Sequence, residues 1–213
     1  MLKSIIFDCD GVLLDTLEAN RHFYDAILAR LGYACLTEDD LKVVHAMTVR
    51  EAFDYVLSPA DALKAPQVAE EIDRKVYYDK VRIPADLHAL LAKLQNCYKL
   101  GIVTNRNARG VKMLAEFALR DFFDVVVTSS DVAVPKPSPE GLLKACDLLG
   151  VAPAEALYVG DSPSDMLAAR AAGMPFVAYE NVALDAKLRA DNMRALGLLI
   201  NDLAECIGET TVS

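Results

Sequence analysis

Two aspartates, Asp8 and Asp10, stand two residues apart at the end of the short apolar run Ser4-Ile5-Ile6-Phe7. In extended backbone that spacing turns both carboxylates to one side and Cys9 to the other. Polar groups follow comparable runs downstream: Thr104-Asn105-Arg106, then Lys136 between Pro135 and Pro137, then Gly160-Asp161-Ser162-Pro163-Ser164-Asp165. Clustered carboxylates repel one another and stay ionised together only with a cation among them. Hard oxygen donors favour Mg²⁺, which binds through one or two carboxylates and a substrate phosphate. Lys136 brings a point charge for a phosphate or an attacking carboxylate, and the Thr104 hydroxyl and Asn105 amide can donate to phosphoryl oxygens. Phosphoryl transfer needs these parts. One aspartate can attack phosphorus and carry the phosphoryl group; a second can protonate the leaving oxygen and then activate water.

Such groups act together only if the elements carrying them end at one place. β-prone runs occupy residues 4–8, 98–104, 125–128, 156–160, 175–178 and, more weakly, 198–200. Helical spacing separates them: Leu87, Leu90, Leu91 and Leu94 within 85–95, a similar pattern over 108–118, and Leu142, Leu143, Cys146 and Leu149 within 139–149, where Ser138-Pro139 reads as N-cap and first helical residue. Strands alternating with helices predict an α/β fold whose parallel sheet is covered on both faces, with ligands at the carboxyl ends of the strands. The interval between the first two strands, about 90 residues, far exceeds a parallel crossover. It holds an amphipathic helix over 17–31, stopped by Gly32, and further helices over 38–57 and 66–81, with breaks at Ser58-Pro59 and Ala65-Pro66. The expected organisation is an all-helical domain over 16–82 inserted into an α/β core made of 1–15 and 83–213.

Asp8-x-Asp10-Gly11-Val12-x-x-Asp15-Thr16, Thr104-Asn105, Lys136-Pro137 and Gly160-Asp161-x-x-x-Asp165 resemble, in order and each after a strand, the four motifs of the haloacid dehalogenase-like phosphatases. The helical insertion is similar to the small cap of the phosphoglycolate phosphatase and β-phosphoglucomutase branch. The resemblance covers about residues 1–200. It implies a Rossmann-like core and an enzyme that hydrolyses a small phosphorylated metabolite, phosphoglycolate being the best single substrate guess. Asp8 would be the nucleophile, passing through an aspartyl phosphate, and Asp10 the general acid and base. Thr104 and Lys136 would bind the phosphoryl group, with Gly11 and Asn105 beside them. Mg²⁺ would be held by Asp8, the Asp10 backbone carbonyl and Asp161, with Asp165 direct or through water. His45, Thr48 and Arg50 lie where this family places substrate contacts; Arg50 or Arg106 could pair with a substrate carboxylate or phosphate. One alternative is a sugar phosphomutase, but that branch carries a histidine where this chain has Asn20. The other is a non-enzymatic phosphate-binding regulatory protein, against which the presence of both Asp8 and Asp10 argues.

Several residues also have structural readings. Ser162 and Asp165 fit a capping box, Asp15 and Thr16 fit a cap for the first inserted helix, and Tyr77 and Tyr78 fit packing. With 31 acidic against 22 basic residues, the formal charge of −9 disfavours nucleic acid and anionic membranes as partners. The N-terminal run is too short for a secretory signal, and no stretch approaches a membrane span. The five cysteines show no C-x-x-C pair, so reduced, buried thiols in a cytoplasmic protein are expected. A monomer or homodimer is the default for this length, and a frayed tail is expected over 208–213.

Overall fold

The computed structural model describes residues 1–208. Six strands, β1 (Ser4–Phe7), β2 (Lys99–Val103), β3 (Val125–Val127), β4 (Ala156–Gly160), β5 (Phe176–Tyr179) and β6 (Leu188–Ala190), form one all-parallel sheet in the order β3-β2-β1-β4-β5-β6. This is the Rossmann-like order. The connections run outward from β1 to β3 on one side and return to β4 on the other, so a crevice opens at the carboxyl ends beside β1.

Between β1 and β2 lie α1 (Leu17–Arg30), α2 (Glu38–His45), α3 (Val49–Val56), α4 (Pro59–Ala62), α5 (Ala65–Glu70) and α6 (Arg74–Tyr78). They bury a cluster of their own around Tyr24, Ile27, Leu28, Leu41, Val44 and Phe53. The continuous helix expected over 38–57 is broken in two. Thr48 caps α3, its hydroxyl accepting from the Glu51 N–H at 3.2 Å while the Glu51 carboxylate accepts from the Thr48 N–H at 2.9 Å. The pattern Thr-x-x-Glu starts a helix, and a reading of apolar period alone passes over it. The chain enters and leaves this segment through adjacent residues: the Asp15 N–H donates to the Arg82 carbonyl at 2.9 Å and the Arg82 N–H to that of Asp15 at 3.0 Å.

Both faces of the sheet are covered, because alternate residues of each strand point to opposite sides. Ile5, Phe7, Leu100, Ile102, Leu157 and Val159 pack with α7 (Leu87–Leu94) and α11 (Met193–Gly208). Ile6, Val103, Val127 and Tyr158 pack with α9 (Glu140–Leu149) and α10 (Pro163–Ala172). Further expectations need correction. Residues 198–200 belong to α11, and β6 is the sixth strand; Leu196 and Ile200, four apart and both fully buried, show the helical spacing that a short apolar run conceals. Of 108–118, only α8 (Met113–Glu116) is α-helical, after a 3₁₀ turn at Gly110–Lys112. Cys9 and Cys146 are buried, but Cys35 and Cys97 are exposed, in the connections before α2 and β2. The Cys206 side chain and the tail beyond Gly208 lie outside the described residues. Pro139 itself stands at the N-cap of α9, one residue later than expected. Among the described residues no helix is long and apolar enough to cross a membrane.

Candidate active site

Asp8 leaves the carboxyl end of β1 with its Oδ1 accepting from Lys136 Nζ at 2.8 Å and from the Cys9 N–H at 2.7 Å. Its Oδ2 accepts nothing among the described residues. Lys136 is buried. Its ammonium also reaches Asp165 Oδ1 at 2.6 Å, the Tyr158 hydroxyl at 2.9 Å and the Val103 carbonyl at 3.2 Å. Burial works against that charge, but Asp165 and Asp8 outweigh it and hold Lys136 more firmly protonated than a free lysine. The other oxygen of Asp165 accepts from the Ser162 N–H at 3.0 Å and the Ser162 hydroxyl at 2.6 Å, closing the capping box that starts α10. Asp165 therefore does what its helical position predicts and also belongs to the charged cluster, with both of its oxygens engaged.

Asp8, Asp161 and Asp165 each offer a carboxylate oxygen within 4.8 Å of one another. Gly11 makes room for Asp161. Its φ is +73°, and a Cβ there would sit 2.0 Å from Asp161 Oδ2. Burial, and then repulsion among the acids, pushes Asp8 up to about 7 and Asp161 up to about 8. Four clustered carboxylates, Asp8, Asp10, Asp161 and Asp165, face two cations, Lys136 and Arg106. Fully ionised, the site lacks two positive charges, and its donors are hard oxygens. That donor set fits one divalent cation.

Asp10 meets Arg106 through two parallel bonds, Nε to Oδ2 at 2.7 Å and Nη2 to Oδ1 at 2.6 Å, and Oδ1 also accepts from the Thr16 hydroxyl. Burial raises the Asp10 carboxyl, but the Arg106 pair prevails and holds it below the usual range. The Thr16 hydroxyl thus serves Asp10 rather than capping α1; Asp15 reaches the Leu17 N–H at 3.3 Å instead. The Tyr77 hydroxyl donates to Asn20 Oδ1 at 2.8 Å and accepts from Arg106 Nη2 at 2.5 Å, while Asn20 Nδ2 lies 2.9 Å from His45 Nδ1. Tyr77 does more than pack. With Asn20 and Tyr158 it forms the part of the site that lies outside the motifs, while Thr16, inside the first motif, joins the site through Asp10. Asn20 and Tyr77 are 57 residues apart in sequence, and only the fold of the insertion brings them together.

One cavity is lined by Asp8, Asp10, Thr104, Lys136 and Asp161 from the core and by His45 from the insertion. Thr104 is buried, and its Oγ1 accepts from the Arg106 N–H at 3.1 Å. Asn105 spends its amide on structure, donating to the Lys136 and Ala46 carbonyls, each at 3.1 Å, while its Oδ1 accepts from the Lys136 N–H at 3.0 Å. Its expected donation to a phosphoryl oxygen by that amide is therefore not available in this arrangement. Thr48 is occupied as a cap. Arg50 does not join the cavity: it pairs at 2.9 Å with Asp54 on the outer face of α3, its side chain 60% exposed.

A family model described as haloacid dehalogenase-like hydrolase matches residues 5–179. The chain belongs to this family. It is an enzyme of haloacid dehalogenase-like type, and relatives named as phosphatases accord with the activity class its motifs imply. A phosphoglycolate phosphatase of Thiobacillus denitrificans is 31% identical over 186 residues, covering 82% of this chain and 81% of that protein. A provisionally named pyrophosphatase, PpaX, of Clostridium perfringens is 30% identical over 196 residues, 86% of each. Among solved structures, a subfamily IA hydrolase of Geobacter sulfurreducens is 37% identical with a TM-score of 0.74, covering 95% of this chain and 96% of that one. A β-phosphoglucomutase of Clostridium difficile, 20% identical with a TM-score of 0.81 over 100% of both chains, shares the fold.

Proposed function

We propose that the protein is a Mg²⁺-dependent phosphomonoester hydrolase of small phosphorylated metabolites, working through an aspartyl phosphate on Asp8. The observation that carries this reading is Asp8 itself. One carboxylate oxygen is fixed by Lys136 and the Cys9 N–H, and the other is free, at a cavity that also presents Thr104, Asp10 and Asp161. Asp8 Oδ2 attacks phosphorus, and the bond to the leaving oxygen breaks. Thr104 turns its hydroxyl hydrogen to a phosphoryl oxygen, and Lys136 offsets charge on Asp8 and the phosphoryl group. On leaving the Arg106 fork, Asp10 takes up a proton from solvent and gives it to the leaving oxygen. As a carboxylate again, it takes a proton from the water that hydrolyses the acyl phosphate. Mg²⁺ would be held by Asp8, the Asp10 carbonyl and Asp161, and would neutralise the phosphoryl oxygens. Asp165, its oxygens already engaged, acts by holding Lys136 or through a bridging water.

The inserted helices form one wall of the cavity and act as a cap that excludes water during phosphoryl transfer. Asn20 ties His45 to Arg106 and carries no ionisable group of its own, which favours hydrolysis over a mutase cycle. Phosphoglycolate is the first substrate to try. The test is phosphate release from a panel of metabolite phosphoesters with Mg²⁺ or with EDTA, for the wild type and Asp8→Asn. We expect release only with the metal, and a loss of about a thousandfold or more in Asp8→Asn with an unchanged circular dichroism spectrum. Undiminished turnover in folded Asp8→Asn would overturn the nucleophile assignment.

A further inference from the structure

Each carboxylate of the site but one is held by a donor. Asp8 accepts from Lys136 and the Cys9 N–H, Asp10 from Arg106 and Thr16, and Asp165 from Lys136 and Ser162. Among the described residues no donor reaches the Asp161 carboxylate. Its place beside Gly11 therefore depends on its own backbone. β4 fixes the chain as far as Gly160, which pairs with Ala178 of β5. Beyond the strand, the peptide that joins Asp161 to Ser162 is gripped at both ends. Its N–H donates to Asp165 Oδ2 at 3.0 Å, and its carbonyl accepts from Asn181 Nδ2 at 2.7 Å.

Asn181 lies in the connection after β5, beyond the last of the four motifs, and it does not line the cavity. The chain reaches it through Glu180, whose φ of +47° is a left-handed conformation that few residues other than glycine adopt. The hydrogen bonds around the Asn181 amide orient it one way. The Ala183 N–H donates to Oδ1 at 3.0 Å, so the donor Nδ2 turns to the Asp161 carbonyl. Its main chain is held from β6: Arg189 Nη1 donates to the Asn181 carbonyl at 3.2 Å, and Arg189 Nη2 donates to that of Leu184. A line of contacts thus runs from β6, through the loop after β5, to the residue at the end of β4 that offers an oxygen to a cation.

We propose that Asn181 is a positioning residue for the divalent-cation site, setting Asp161 through its backbone carbonyl. The inference rests on the Mg²⁺ reading above and adds to it a residue that touches neither metal nor substrate. A ligand that must find its place on binding loses conformational freedom at that moment, and one held in place beforehand does not. The nearest isostere cannot do the same work. An ionised aspartate at 181 would keep an acceptor for the Ala183 N–H, but it would set its second oxygen against the Asp161 carbonyl with no proton between them.

The test is Mg²⁺ titration by calorimetry, without substrate, on the wild type, Asn181→Ala and Asn181→Asp. Both variants should bind Mg²⁺ more weakly by about tenfold or more, as loss of an outer partner of a metal ligand does. For Asn181→Asp the sign is decisive. Coulomb attraction alone would tighten the hold on a cation near an added negative charge, so weaker binding there reports a misplaced ligand. At one Mg²⁺ concentration, the rise in thermal midpoint that the metal brings should be smaller in both variants. In phosphate release, the Mg²⁺ concentration for half-maximal rate should rise by about the same factor as Kd, whereas substrate KM at saturating Mg²⁺ should change far less. A merely structural asparagine would lower the midpoint of the metal-free protein and leave the Mg²⁺ Kd as it was. That result, or tighter binding in Asn181→Asp, overturns the positioning role and leaves the metal reading standing; Asn181→Asp decides alone if Asn181→Ala does not fold. Wild-type protein that takes up no Mg²⁺ removes the metal reading and this inference together.

Discussion

Lys136 is the residue on which the charge balance of the site turns. It is buried, and its ammonium touches two carboxylates that would otherwise face one another. Lys136→Met keeps the volume and removes the charge, leaving Asp8 and Asp165 unpaired. Breaking a buried pair in this way costs about 3–5 kcal/mol, so the denaturation midpoint should fall markedly, and more in EDTA than in Mg²⁺. A midpoint unchanged in EDTA would show that the carboxylates do not need the lysine. The acids also set a pH dependence. Without a cation, Asp8 and Asp161 hold their protons up to about 7 and about 8 in the fold, whereas in the unfolded chain they lose them near the ordinary carboxylate value of about 4. Across that interval the folded chain binds more protons, so its stability falls as pH rises. Thermal melts of the metal-free protein should therefore lose midpoint between about pH 5 and pH 8. The slope should be shallower in Asp161→Asn and nearly flat with saturating Mg²⁺. Parallel slopes in wild type and Asp161→Asn would contradict this account.

At the scale of elements, the site depends on how the chain leaves β1 and β4. The turn after β1 places Gly11 at φ +73° against the Asp161 carboxylate, and a Cβ at Gly160 would lie 2.5 Å from the Cβ of Asp165. Gly11→Ala thus adds the left-handed backbone cost of about 1–2 kcal/mol and pushes Asp161 aside. We expect about a tenfold or larger fall in kcat/KM and weaker Mg²⁺ binding by titration calorimetry; unaltered Mg²⁺ affinity would refute the close approach. Much of this level was legible in the sequence. Asp8, Asp10, Thr104, Lys136 and Asp161 each follow a strand, and a parallel sheet delivers strand ends to one rim, so order along the chain is enough to place them. Asp165 closes the capping box that the sequence offered and also pairs with Lys136, a contact that the sequence did not offer. What stayed hidden depends on packing across the insertion. The Asn20–Tyr77 contact joins α1 to α6, and the outward turn of Arg50 depends on where Thr48 starts α3. Leu198-Leu199-Ile200 misled because an apolar run of that length fits a strand as well as a buried helix.

At the scale of the whole molecule, the inserted helices have their own core and meet the α/β core in two different ways. Near the crossing at Asp15 and Arg82 the contact is apolar, with Tyr77 and Val81 in the main cluster and Tyr78 edge-on to Phe117 at 6.1 Å. Across the cavity the tie is polar: Asn105 Nδ2 to the Ala46 carbonyl, together with the Asn20–Arg106 contact. Polar contacts exchange readily with water, whereas opening the apolar side exposes rings, so relative motion should swing about the crossing and part the molecule at the cavity. Asn105→Ala removes the bond to Ala46 as well as both bonds to the Lys136 backbone, a loss of about 1–3 kcal/mol. Hydrogen–deuterium exchange should then speed up at residues 46–48, while the Asp15 and Arg82 amides and the buried helix amides around Leu41 and Phe53 keep their protection. Turnover should show a raised KM with a smaller change in kcat, because the cost falls on gathering the site around the substrate. Uniformly faster exchange across the insertion would mean that Asn105 holds up the fold of those helices, and unchanged exchange at 46–48 would mean that the bond to Ala46 carries no part of the docking.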